Sequence, residues 1–289
     1  MTVESPREAG DRPSADVPAG EGGTGKAYVY TATMGAAHGM THAYLLFFTP
    51  FLKTIQETLG LDWVALGVLV SFVFVAFGLG ALPAGVISDF IGHRRAAVVS
   101  LAVPAAGCLL GFLADSYWMM AGAFVLIGVG TSVYHPAGSA LVSGFAGERF
   151  RGRAMGVHGV GGNIGMLLAP VLTAGVVQVP PSWRYAFLLW AALGLATALL
   201  VRRGVPETKP RVRASSEAAL PVRPPAGDAQ AARGAPVPAA LKLFSAAVLA
   251  VLAIVAIQGF FNDAVFAYLP TFLQDDKGGL TGYSTPHVL

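Results

Sequence analysis

Apolar residues run along this chain in seven long blocks, over 28–52, 63–88, 96–114, 119–145, 154–179, 184–201 and 241–273, separated by polar breaks. Each block reaches or approaches the roughly 20 residues that an α-helix needs to cross about 30 Å of hydrocarbon. The pattern predicts an all-α membrane protein. Six of the blocks follow one another closely and make a bundle over 28–202. The rhythm then breaks at 203–240, a Pro-, Ala- and Arg-rich stretch that cannot bury a core and reads as a cytosolic linker. A seventh helix is expected over 241–274 and an outer-face stub over 275–289. The first 27 residues are polar and rich in Gly, Pro and acidic side chains, and they lack the basic start and small-residue cleavage site of a signal peptide. They read as a disordered cytosolic tail.

Composition agrees with lipid as the solvent: 54% of the 289 residues are hydrophobic, 12% are charged, and the mean hydropathy is +0.62. Charge orients the helices. With the N-terminus inside, 16 of the 19 Lys and Arg residues fall in cytoplasmic segments, leaving only Lys53, Arg184 and Lys277 elsewhere. The pI near 9.1 therefore reflects topology and not a nucleic-acid surface, since no basic patch is interleaved with aromatics. Trp63 and Trp183 stand at expected outer boundaries as interface anchors. Cys108 is the only cysteine, so no disulfide or thiolate metal site is expected from it.

Between the second and third blocks lies Gly85-Val-Ile-Ser-Asp89-Phe-Ile-Gly92-His93-Arg94-Arg95. It places a carboxylate at the membrane edge, a glycine free to take positive φ, and two guanidinium groups behind it. This loop resembles the cytoplasmic signature of the major facilitator superfamily, with Phe90 and His93 where that family usually has bases. A second run, Tyr134-His135-Pro136 followed by Gly161-Gly162-Asn163-Ile-Gly165, resembles the fosmidomycin-resistance-type branch and its drug-efflux neighbours. Ala169-Pro170 resembles the antiporter Gly-Pro signature with Ala in place of Gly. The resemblance implies a six-helix N-terminal bundle plus the first helix of a C-terminal half, in a chain that stops short of a complete transporter. It also implies that Asp89 and Arg94 or Arg95 bond each other at a cytoplasmic gate, facing a helix end in the second half.

Closely spaced glycines in lipid let helix backbones approach, which makes Gly161, Gly162 and Gly165 a packing surface. Pro136 and Pro170 permit bends, serving either a rocking motion or static packing. Ionisable groups inside spans are costly and usually face a cavity or a partner. His38 and His42 lie one turn apart on one face of the first helix. They are a cavity-facing pair for substrate or proton, a pair bonded to neighbouring helices, or two ligands of a metal. The last is disfavoured because two imidazoles are half a tetrahedral site and no Cys, Asp or Glu completes it. His135 and His158 are cavity or gate residues, or packing histidines; Tyr44, Tyr134 and Asn163 are weaker candidates of the same kind. Asp263 is the only carboxylate well inside a predicted span, either a proton site or a solvated position near the helix end.

No Walker loop, nucleophile elbow, HExxH or paired carboxylates occur, so neither an enzyme nor a cofactor is expected. Seven crossings also suit a receptor or a retinal protein. A receptor would need its N-terminus outside, and Lys242 lies at the mouth of the last helix where retinal needs it within. The expectation is a secondary active transporter of a small organic solute in the plasma or inner membrane, working by alternating access, with the resemblance pointing toward proton-coupled efflux of a drug or metabolite. Proton-coupled uptake of a small organic anion, or a non-transporting remnant, are the alternatives. Its partners are lipid, proton, solute, and a missing C-terminal half or second copy.

Overall fold

The structure is a computed structural model that describes residues 21–146, 148–176 and 182–207. The linker, the expected seventh helix with Asp263 and the outer-face stub lie outside the described residues, apart from the linker's first residues. Helices follow in the order α1 (Glu21–Leu46), a 3-10 turn (Thr49–Phe51), α2 (Leu52–Leu59), α3 (Trp63–Ile91), α4 (His93–Leu113), α5 (Tyr117–Ser132), α6 (Tyr134–Phe145), α7 (Glu148–Val176) and α8 (Arg184–Gly204). Among the described residues there is no strand. Five continuous stretches are long and apolar enough to cross a membrane: α3, α4, α5 with α6, α7 from Phe150 to Gly175, and α8.

Helix α1 misses that standard although it is 26 residues long. Two of its polar residues turn inward. Thr31 and Thr41 are fully buried, and Thr41 Oγ1 donates to the Ala37 carbonyl at 3.0 Å, so its polarity is carried on the bundle's interior side. Two boundaries differ from the sequence expectation. Helix α1 starts at Glu21, inside the predicted tail. The expected block 28–52 is divided after Leu46, because Pro50 in the following 3-10 turn has no N–H to continue an α-helix. The short α2 then ends at Gly60 in the left-handed region, φ +64°, and Asp62 caps α3 by accepting from the Ala65 N–H at 2.7 Å.

Helix α1 packs along α7, α4 between α5 and α8, and α3 on α5. One end of the bundle, around the 3-10 turn and the start of α8, is filled by rings. Phe47 meets Phe187 edge to face at 4.9 Å, and Phe48 lies 4.6 Å from Phe124. Trp183 corrects the expectation of an interface anchor: it is 6% exposed, stacks on Phe51 at 6.2 Å and carries the Arg184 guanidinium at 4.6 Å. Arg184 in turn donates to the Phe112 and Ala114 carbonyls, satisfying the end of α4. Trp63, at the start of α3, is half exposed. Large apolar side chains stay uncovered on α3 (Leu79, Leu82, Val86, Phe90) and on α7 (Val160, Ile164, Leu167, Val171).

Candidate functional site

Two glycine pairs set the geometry at the centre of the bundle. Gly35 and Gly39 on α1 face Gly161 and Gly165 on α7, each pair four residues apart and therefore on one helix face. A Cβ on Gly39 would sit 2.7 Å from the Gly161 carbonyl oxygen and one on Gly35 3.4 Å from the Val157 oxygen, so the two backbones are in direct contact. Beside this crossing, Gly162 leaves room for a ring: its Cβ would lie 2.7 Å from the His38 imidazole.

The expected fourth span is broken at Val133, whose N–H reaches back only to the Gly130 carbonyl at 3.4 Å. The chain restarts as α6 with Tyr134, His135 and Pro136 in its first turn. Pro136 falls where its missing N–H would have had no intrahelical partner, so it is compatible with a restart and not a kink within a helix. Pro170 stays inside a continuous α7.

Together these elements gather four imidazoles from α1, α6 and α7. The His38 ring stacks on His158 at 4.3 Å between centroids and lies 4.8 Å from His42 and 5.2 Å from His135. His42 and His135 are 5.5 Å apart, and Phe77 closes the side at 5.9 Å from His135. His38 Nδ1–H donates to the His158 carbonyl at 2.9 Å. In the neutral ring this leaves the His38 Nε2 lone pair bare, and it accepts from His42 Nε2 at 3.1 Å. Tyr134 donates its hydroxyl to the Met34 carbonyl at 2.5 Å and stands 3.5 Å from His158 Nε2. His158 and Tyr134 are buried, while His38, His42 and His135 are half-buried. One ligand-capable nitrogen from each of those three lies within 4.8 Å of the other two.

The predicted α1 pair is thus two members of a larger group, to which His135 brings a third ligand-capable imidazole. Tyr44 is not brought to the group. It is buried on another face of α1 and donates to the Leu101 carbonyl at 3.0 Å, tying α1 to α4. Asn163 is exposed on α7. Gly35 and Gly39 are the partners of Gly161 and Gly165, and the four-residue glycine spacing on both helices is the sequence signal for that crossing.

At the α3–α4 junction, Gly92 has φ +93° and is the single residue between two long helices. Gly85 has open space beside its Cα. Asp89 is exposed and lies 4.0 Å from His93 Nε2, and the His93 ring is fixed by Ser88 Oγ at 3.0 Å from its Nδ1. Arg94 turns instead to the segment after α8: its N–H donates to Glu207 Oε1 at 2.8 Å, its guanidinium to the Val205 carbonyl at 3.3 Å, and its Nε lies 3.8 Å from Glu207 Oε2. The Asp89–arginine bond implied by the resemblance is therefore replaced here by Asp89–His93 and Arg94–Glu207 pairs.

Helices of this length and apolarity, joined by tight turns around a polar interior group, define a multi-pass integral membrane protein. Residues 31–286 match the sequence profile of the Major Facilitator Superfamily, and the chain belongs to that family. It is similar to the inner membrane metabolite transport protein YgcS of Escherichia coli, 32% identical over 45% of this chain and 29% of the relative. It is also similar to the mouse solute carrier family 2, facilitated glucose transporter member 10, 32% identical over 58% of this chain and 31% of the relative. The matched segments thus span about a third of those relatives' lengths. The fold is similar to that of a crystal structure of the peptide transporter POT in complex with sulfate, at a TM-score of 0.50 and 18% identity, covering 92% of this chain and 49% of that one.

Proposed function

We propose that this chain contributes a six-helix bundle to a secondary active transporter that moves a small organic solute by alternating access, with proton-coupled efflux of a drug or metabolite as its direction. The observation that carries the reading is the imidazole group on α1, α6 and α7, half-open and set beside a helix break. Polar groups of this kind inside a bilayer are retained where they meet a solute, an ion or a proton. Imidazole exchanges protons near neutral pH and is suited to coupling. Membership in the Major Facilitator Superfamily and the names of the relatives support solute transport; the Tyr134-His135-Pro136 and Gly161-Gly162-Asn163 runs support efflux.

Alternating access requires a second bundle to rock against the first. The uncovered apolar faces of α3 and α7 suit that contact, with the second bundle supplied by helices after the linker or by another copy. In this reading the N-terminus is cytoplasmic, Asp263 belongs to the pathway on the following helix, and the 85–95 loop with Glu207 forms the cytoplasmic gate.

Inverted membrane vesicles loaded with a pH-reporting dye test it. Adding a transported organic solute to energised vesicles should release protons from the lumen, and His42→Asn should abolish that release. Solute accumulation that is indifferent to a collapsed pH gradient would overturn the coupling, and accumulation only in right-side-out vesicles would reverse the direction.

A further inference from the structure

The geometry points to a binding site for a late first-row divalent cation of the Zn²⁺ or Co²⁺ type, held by His38, His42 and His135. Three features of the group fit a ligand set. First, His38 Nε2 and His42 Nε2 are 3.1 Å apart, a spacing held by a proton in the metal-free group and kept by an ion that takes its place, once the His42 proton moves to Nδ1. Two imidazole nitrogens bound to one tetrahedral ion at about 2.0–2.1 Å stand about 3.3 Å from each other. Second, His38 Nδ1–H is held by the His158 backbone carbonyl at 2.9 Å, an outer contact that fixes the tautomer and aims Nε2 inward, as outer partners of metal-bound histidines do. Third, the His135 nitrogen lies within 4.8 Å of the other two. Ring rotation has to close the widest gap by about 1.5 Å to reach tetrahedral spacing.

The surroundings fit the same purpose. Gly162 clears the space the His38 ring occupies, and the buried His158 and Tyr134 rings stack against it at 4.3 and 5.6 Å, holding it in place. All three ligands are half-buried, which leaves a path for an ion and a fourth position for water or an anion. An all-imidazole set selects Zn²⁺, Co²⁺, Ni²⁺ or Cu²⁺ over Mg²⁺ or Ca²⁺, which require oxygen ligands. The site goes beyond the transport reading, and because its test reads binding and not flux, either can fail without the other.

The test uses the full chain, purified in detergent without a polyhistidine tag and titrated with Co²⁺. The expected result is the intense visible absorption of four-coordinate Co²⁺ at one ion per chain, lost on adding Zn²⁺. His42→Asn and His135→Asn should each weaken binding by at least about tenfold, while His93→Asn at the α3–α4 junction leaves it unchanged. Since a variant could fail to fold, a second measurement is made on the unaltered protein: His38, His42 and His135 should be acylated by diethylpyrocarbonate in the metal-free protein and shielded from it by Zn²⁺. Weak six-coordinate Co²⁺ absorption, equal affinity in folded His42→Asn and His135→Asn, or unshielded acylation would each overturn the site.

Discussion

Replacing Gly39 by alanine strikes the contact on which the interior group depends. The new methyl carbon would stand 2.7 Å from the Gly161 carbonyl oxygen and 3.5 Å from the Gly165 Cα. Close carbon–oxygen contacts settle at about 3.3–3.6 Å, so α1 and α7 must part by roughly 0.6–0.9 Å. Both sides of the clash are backbone and no rotamer change relieves it. Overpacking of this kind costs about 1–3 kcal/mol. The same displacement stretches the 2.9 Å bond from His38 to the His158 carbonyl beyond hydrogen-bonding range, adding about 0.5–1.5 kcal/mol. The expected loss is therefore about 1.5–4.5 kcal/mol. Gly159→Ala on α7 is the control, because a Cβ there meets nothing within 4 Å. Equilibrium unfolding by titration with sodium dodecyl sulfate in mixed micelles measures both. If Gly39→Ala proves as stable as Gly159→Ala, the glycine crossing does not hold α1 against α7 and the reasoning fails.

Gly92→Ala should destabilise the protein by about 1–3 kcal/mol, since φ +93° is rarely adopted by a residue with a side chain; unchanged unfolding would show that the junction relaxes freely. Trp190→Phe removes the 2.7 Å bond to Thr173 Oγ1 and leaves a buried hydroxyl unpaired, costing about 1–3 kcal/mol, much of which Thr173→Val in the same chain should restore. The same unfolding assay reads this pair, and strict additivity of the two losses would contradict the bond. Glu207→Gln breaks a pair with Arg94 in which both side chains are about one-third exposed. Its stability cost should stay below about 1 kcal/mol, and a larger loss would give that contact a structural weight the geometry does not assign it.

The spans were legible because the bilayer forces each crossing to be a long apolar helix. The breaks were harder. Pro50 announces the end of α1, yet the apolar residues around it carry the hydropathy straight through, and at Val133 the polar neighbours Thr131, Ser132, Tyr134 and His135 are averaged away by the apolar residues on either side. Trp183 shows the limit of reading position as environment: its place at a helix boundary matched an interface anchor, but Phe51 from the 3-10 turn and Phe187 one turn on in α8 enclose it. The interior group was half visible. The i, i+4 spacing placed His38 and His42 on one face, whereas their meeting with His135 and His158 depends on a tertiary crossing between residues about 120 positions apart. The repeated four-residue glycine spacing at 35–39 and 161–165 was the available clue. Tyr44 went the other way, because a tyrosine two residues from a histidine on a helix points to a different side.

The central claim is that His42 and His135 face an aqueous interior while the apolar face of α3 does not. With Cys108, fully buried, replaced by alanine, single cysteines at positions 42, 135 and 82 are exposed in membranes to a water-soluble maleimide. The account predicts labelling at 42 and 135 and protection at 82, although Leu82 is 81% exposed in the isolated bundle. Labelling at 82 with silence at 42 and 135 from both sides of the membrane would contradict it.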